Sequence, residues 1–224
     1  MDSEEPGFFR NNGLSLAMLG LFAFSAVGQT ATGFRVHNDE LAQLGARTLS
    51  FGGYLTSGAF AEAVFENWES EFLQMAIFVL LTRSLRQRGS SESKPLSGAA
   101  DVDEDPRRAP KRPDVPWPVK RGGLALKVYE RSLSLALIAL FLASFAGHAM
   151  GGARAYSEER RLHGQAGVDA IAYVATSQFW FESFQNWQSE FLSIGVLIYL
   201  SIYLRERGSP QSKPVAAAHA QTGD

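Results

Sequence analysis

The sequence contains itself twice. Shifted by about 119 positions, Leu14–Pro95 falls onto Leu133–Pro214 without a gap, and roughly 30 of about 82 positions are identical. The fold must therefore be one that both copies can adopt. Agreement is densest at Asn67-Trp68-Glu69-Ser70-Glu71-Phe72-Leu73, which matches Asn186-Trp187-Gln188-Ser189-Glu190-Phe191-Leu192.

Each copy carries two apolar runs. Leu14–Val27 and Leu133–Ala146 contain no charge, and the uncharged stretches around them are bracketed by Arg10 and Arg35 and by Arg131 and Arg154. A helix needs ~20 residues to cross a hydrocarbon layer of about 30 Å, and both stretches suffice. Phe72–Leu85 and Phe191–Leu204 are shorter. They reach spanning length only if the helix extends back through Trp68 and Trp187 and their acidic neighbours. One such run also fits the core of a soluble protein, but four in a repeated order favour a membrane. A cleaved leader is not expected. The start is acidic (Asp2, Glu4, Glu5), and the repeat equivalent of the first run is internal.

Charge sets the orientation. Of 21 Lys and Arg residues, 12 lie between Arg83 and Arg131, and Arg205, Arg207 and Lys213 follow the last run. The loops Arg35–Glu66 and Arg154–Asn186 are poor in basic residues. The positive-inside bias places both termini and the central linker in the cytoplasm, with both long loops outside. Two spans per copy make the repeats parallel, not inverted. The expected fold is an all-α membrane protein with four transmembrane helices, two parallel-repeat helical hairpins packed as a four-helix bundle. Residues 11–88 form the first hairpin, 89–128 a flexible cytoplasmic linker, 129–208 the second hairpin and 209–224 a disordered tail. The linker is rich in Ser, Pro and mixed charge, which cannot bury a core. Its basic cluster around Arg107–Arg112 reads first as a solvated stretch obeying the same bias.

Local signals mark the outer loops. Val36–Leu44 and Ala155–His163 continue the first helix of each copy outward, and Gly45 and Gly164 end it. Thr56/Ser57 and Thr176/Ser177 are the expected N-caps of the following helix.

Polar residues gather at one depth. Glu71 and Glu190 each lie fifteen residues before the basic boundary at Arg86 and Arg205, about 22 Å along a helix. Asn67 and Asn186 share their faces. Gln29 and its equivalent His148 lie at a similar depth on the first helices. The candidate polar cluster is therefore Gln29, Asn67, Glu71, His148, Asn186 and Glu190, with Trp68 and Trp187 as interfacial anchors. Charged groups at such depth face a bundle interior and pair, and His148 is a candidate partner for either glutamate. Three uses compete: an interfacial belt, a hydrogen-bonded lock between helices, and a site that binds a cation or relays protons. His148 without a second His or a Cys is a weak metal ligand, so no metal is expected. Gly147-His148-Ala149-Met150-Gly151 has the small-xxx-small spacing that lets helices approach closely, and Gly28 with Thr32 is its counterpart.

The chain has no cysteine, which removes disulfides and thiolate chemistry. Its net charge of −2 does not indicate a nucleic-acid partner. No G-x-x-x-x-G-K-[ST], H-E-x-x-H or G-x-S-x-G pattern occurs. An enzyme is not expected, and neither catalytic residues nor a cofactor are assigned.

The motif Phe65-Glu66-Asn67-Trp68-Glu69-Ser70-Glu71-Phe72-Leu73-Gln74 carries a resemblance. Asn12–Leu16 lies upstream of it, Ser50–Gly58 precedes it in the outer loop, and Gly89–Lys94 lies downstream. With these segments the chain resembles an uncharacterised bacterial family of small integral membrane proteins, catalogued as a domain of unknown function. The resemblance implies the bacterial cytoplasmic (inner) membrane and brings no activity and no site residues. The second copy departs from the motif at Gln185 and Gln188. The function expected is a structural or accessory membrane component. It would contact the lipid bilayer and bind a membrane-protein partner or a second copy as a homo-oligomer. The alternative is a small transporter or channel for a cation or proton that uses the paired glutamates.

Overall fold

The computed structural model describes residues 7–98, 100–108 and 112–223. The acidic start and part of the basic linker cluster (109–111) lie outside the described residues. Among the described residues the chain is helical and has no strand. Eight α-helices follow in order: α1 Phe8–Gln43, α2 Phe51–Leu55, α3 Gly58–Thr82, α4 Trp117–Arg121, α5 Gly123–Tyr129, α6 Ser132–Leu162, α7 Ala170–Val174 and α8 Ser177–Tyr203. Two of them, α1 and α6, are long and apolar enough to cross a membrane. α3 and α8 have 25 and 27 residues, about 37 and 40 Å, but their carboxylates and amides interrupt the apolar run. By composition alone, two spans of the expected four are supported.

The chain divides into two compact units, residues 1–64 with 149–173 and residues 65–148 with 174–224. The first unit holds α1, the start of α3, the end of α6 and the loops that follow α1 and α6. Here the repeat persists down to single hydrogen bonds. α1 ends at Gly45 (φ 69°), with Gly45 N–H bonded to Ala42 O and Ala46 N–H to Leu41 O. α6 ends the same way at Gly164 (φ 71°), through Arg161 O and Arg160 O. Both are Schellman closures, which need a left-handed residue that glycine adopts at no steric cost. The Asn38 side chain then clamps both backbone groups of Leu49, at 3.0 and 2.7 Å. Its equivalent Ser157 clamps both groups of Val168, at 2.9 and 2.8 Å. Ser50 caps α2 and Asp169 caps α7 at equivalent positions.

A glycine and a tyrosine close each loop onto its helix. A Cβ on Gly33 would stand 2.3 Å from the Tyr54 hydroxyl, and one on Gly152 would stand 2.4 Å from the Tyr173 ring. Both tyrosines are buried. Tyr173 donates its hydroxyl hydrogen to Glu62 Oε1 at 3.0 Å. Tyr54 packs among Phe34, Phe60 and His37. Gly151, the second glycine of the small-xxx-small pair, meets the α3 backbone at Ala61 and Glu62. A Cβ on Gly28, by contrast, would meet nothing within 4 Å. The spacing is used in one copy only.

The second unit holds the rest of α3 and α6, all of α4 and α5, and α8. Thr176 caps α8 through Phe179 N–H, as Ser57 in the first unit caps α3 through Phe60 N–H. The stretch expected as a flexible linker contains α4 and α5. Pro118 lies in the first turn of α4, and Gly122 (φ 68°) separates it from α5, which buries Leu126. The stretch expected as a disordered tail is a run of turns that the repeat itself builds. Gln87 N–H bonds to Ser93 Oγ, and Glu206 N–H bonds to Ser212 Oγ at the same position of the second copy. Lys213 is buried and donates to the carbonyls of Ala218, His219 and Gln221. Gly89 N–H bonds to Thr222 Oγ1, and Gly223 N–H to Ser90 O, so the two turn segments lie against each other.

Candidate functional site

Glu69 and Glu71 are two residues apart on α3, so they leave the helix on different sides. Each finds its own partner in the second unit.

Glu69 is fully buried and faces α6 and α8. Its Oε2 lies 2.8 Å from His148 Nδ1 on α6, and its Oε1 accepts the Trp187 Nε1–H of α8 at 3.0 Å. The other ring nitrogen of His148, Nε2, lies 3.3 Å from Glu182 Oε2 on α8. Glu182 Oε1 in turn accepts from Gln178 Nε2 at 2.6 Å. Phe179 stacks on the imidazole with ring centres 4.6 Å apart. α3 and α6 come close here because residue 147 is glycine: a Cβ there would collide with the Phe65 ring. His148 and Glu69 have 0% exposure.

Each ring nitrogen of His148 faces a carboxyl group, so the three side chains form one chain across α3, α6 and α8. Glu66, one turn before Glu69, lies within electrostatic range of all three groups. Such a network is strong when complete and costly when broken.

Glu71 lies within electrostatic range of Glu190 on α8. Asn186 Nδ2 donates to Glu182 O, and the carbonyls of Asn67 and Asn186 accept from Ser70 and Ser189. Gln29 lies in the first unit, where its Nε2 donates to Ala63 O at 3.0 Å. Trp68 is exposed and packs on Phe65, whereas Trp187 belongs to the Glu69 network. The structure thus brings Glu71 into range of Glu190 and joins His148 to Glu69 and Glu182.

Glu69 and Glu182 are not among the candidates derived from the sequence, and the repeat holds the signal for them. His148 stands where the first copy has Gln29, Glu182 where it has Ala63, and Gln188 of the second copy stands where Glu69 is. The Gln29–Ala63 contact is the neutral equivalent of His148–Glu182.

A family profile described as a domain of unknown function, DUF6766, matches residues 5–224. The match covers nearly the whole chain. The chain belongs to the DUF6766 family. No curated protein and no solved structure matches it. The DUF6766 match covers both copies of the repeat, the segment between them and the turns after α8, so these parts make up one family unit.

Proposed function

We propose that this DUF6766 member is an integral protein of the bacterial cytoplasmic membrane, built as two parallel helical hairpins, with a structural or accessory role toward a partner protein or lipid. The observation that carries the role is the closure of the Glu69–His148–Trp187 network. Both buried ionisable groups have their polar atoms engaged by side chains of neighbouring helices, as a lock requires. The membrane placement draws support from α1. Leu14 and Phe24 on its charge-free stretch are 76% and 79% exposed, as are most large apolar residues around them, and an apolar helix exposed on all sides requires a nonaqueous surrounding. α3 and α8 complete the hairpins, with their carboxylates turned to one another and to His148.

The Glu71–Glu190 pair favours a second reading, a proton- or cation-conducting role. One experiment separates the two. The protein is reconstituted in liposomes and proton and cation flux are measured, while native membranes are solubilised in mild detergent and co-purifying proteins identified. The accessory role predicts no flux and a stoichiometric partner. Flux that disappears in the Glu71→Gln, Glu190→Gln variant would replace it with transport.

A further inference from the structure

In the first unit a cavity of about 280 Å³ opens on the outer end of α6, walled by Met150, Ala153, Arg154, Arg161, Val168 and Asp169. Arg154 and Arg161 are seven residues apart, two helical turns, so both rise from one face about 10 Å apart. Both are exposed. Among the described residues neither guanidinium has a hydrogen-bond or ion-pair partner. The carboxylate on the wall is partly occupied, since Asp169 Oδ1 accepts the Ala172 N–H. Ser157 holds Val168 in the wall through both its backbone groups. Two free guanidinium forks above an apolar floor form an amphiphilic receptor, and such forks match the oxygens of a phosphate bidentately.

We propose that this cavity binds a phosphate ester group, seated between Arg154 and Arg161 with the carbon skeleton of its ligand over Met150, Ala153 and Val168. The place of Arg161 in the last turn of α6, near the negative end of the helix dipole, accounts for that residue alone. It leaves Arg154, two turns earlier, without a role. The volume holds several waters' worth of liquid, at about 30 Å³ each, enough for a phosphate with a glycerol unit. The first copy supplies a control. Arg35 stands where Arg154 does, but Ala42 replaces Arg161 and Ser50 replaces Asp169. The site exists once. On the membrane reading above, Arg154 ends the uncharged stretch of α6, so the source of the phosphate is a phospholipid headgroup. A soluble phosphate ester is the other source of the same chemistry.

The test uses the full chain in nanodiscs of phosphatidylcholine, with and without phosphatidylglycerol. Native mass spectrometry reads the phosphatidylglycerol retained, and glycerol 3-phosphate and inorganic phosphate are titrated separately against the same protein. The Arg154→Gln, Arg161→Gln variant is expected to lose retention or phosphate affinity about tenfold, with Arg35→Gln at the parental level. Retention of phosphatidylglycerol without competition by glycerol 3-phosphate identifies the lipid, and competition identifies the soluble ester. Arg154→Lys with Arg161→Lys keeps the charge and should bind with intermediate strength, which covers a glutamine variant that fails to fold. Equal binding of every ligand by the parent and the variants, or no binding by the parent, overturns the site. Extraction of the parent by alkaline carbonate would overturn the membrane reading instead, while the phosphate titration still decides the cavity.

Discussion

His148 and Glu69 sit on different helices with no exposure to solvent, and 2.8 Å separates Nδ1 of one from Oε2 of the other. Their repeat equivalents, Gln29 and Gln188, are both neutral amides. The two copies of the hairpin therefore differ by a matched set of charges, which is what a contact between the copies would select.

Substituting both members of this pair should cost less than the two single substitutions added together. His148→Gln takes the imidazole from between Glu69 and Glu182 and should cost about 3–5 kcal/mol, whereas Glu69→Gln leaves His148 its contact with Glu182 and should cost less. The double variant restores the two amides of the equivalent positions while keeping Glu182 where the first copy has Ala63, and its cost should fall short of the sum by about 1–3 kcal/mol. Thermal melts of the three variants in one detergent check this. Strict additivity would show that the two residues act independently.

The Glu71–Glu190 pair should behave differently. Glu190→Gln replaces one of two neighbouring carboxyl groups with an amide that can donate to the Glu71 carboxylate. Stability at neutral pH should be unchanged or rise by about 1 kcal/mol. Glu190→Ala removes the partner and should lower it. Melting the two variants beside the parent distinguishes a hydrogen-bonded pair from two carboxylates that only lie near each other.

The paired glycines Gly33 on α1 and Gly152 on α6 give a packing test. Gly152→Ala forces a methyl group against the buried Tyr173 ring and should cost about 1–3 kcal/mol. Gly33→Ala should do the same against Tyr54. Gly28→Ala, with open space around it, should be neutral or stabilise by about 1 kcal/mol through helix propensity. Equal effects at all three positions would rule out a special role for the tyrosine contacts.

These contrasts show what the sequence makes legible. Helix ends and caps are local, so Gly45, Gly164, Ser57 and Thr176 can be placed from their own neighbours, and the structure puts each where its pattern requires. The shared depth of Glu71 and Glu190 follows from the repeat, whereas helix packing decides which groups they face. The Glu69–His148 network is hidden from that approach, because a search for what both copies share discards the positions where they differ. The turns around Lys213 are hidden for another reason. Their Ala, Gln and Ser content resembles a solvated tail, and only the recurrence of the Gln87–Ser93 hydrogen bond as Glu206–Ser212 reveals order.

Lys213 offers a direct probe of that order. Its ammonium group gathers three backbone carbonyls, and a methionine there cannot donate to any of them. Lys213→Met should release the segment and increase the rate of carboxypeptidase trimming about tenfold, with little change in the global melt. Parental trimming rates would mean that Lys213 does not hold the turns.

Parallel insertion of the two hairpins is the central claim, and cysteine accessibility measures it. The chain has no cysteine, so single substitutions report without background. Thr48→Cys and Gln165→Cys, in the two outer loops, should react with a membrane-impermeant maleimide in spheroplasts. Ser97→Cys and Ala216→Cys should react only after the membrane is opened. Labelling of Thr48→Cys and Gln165→Cys from opposite sides, or of all four positions alike, would contradict the account.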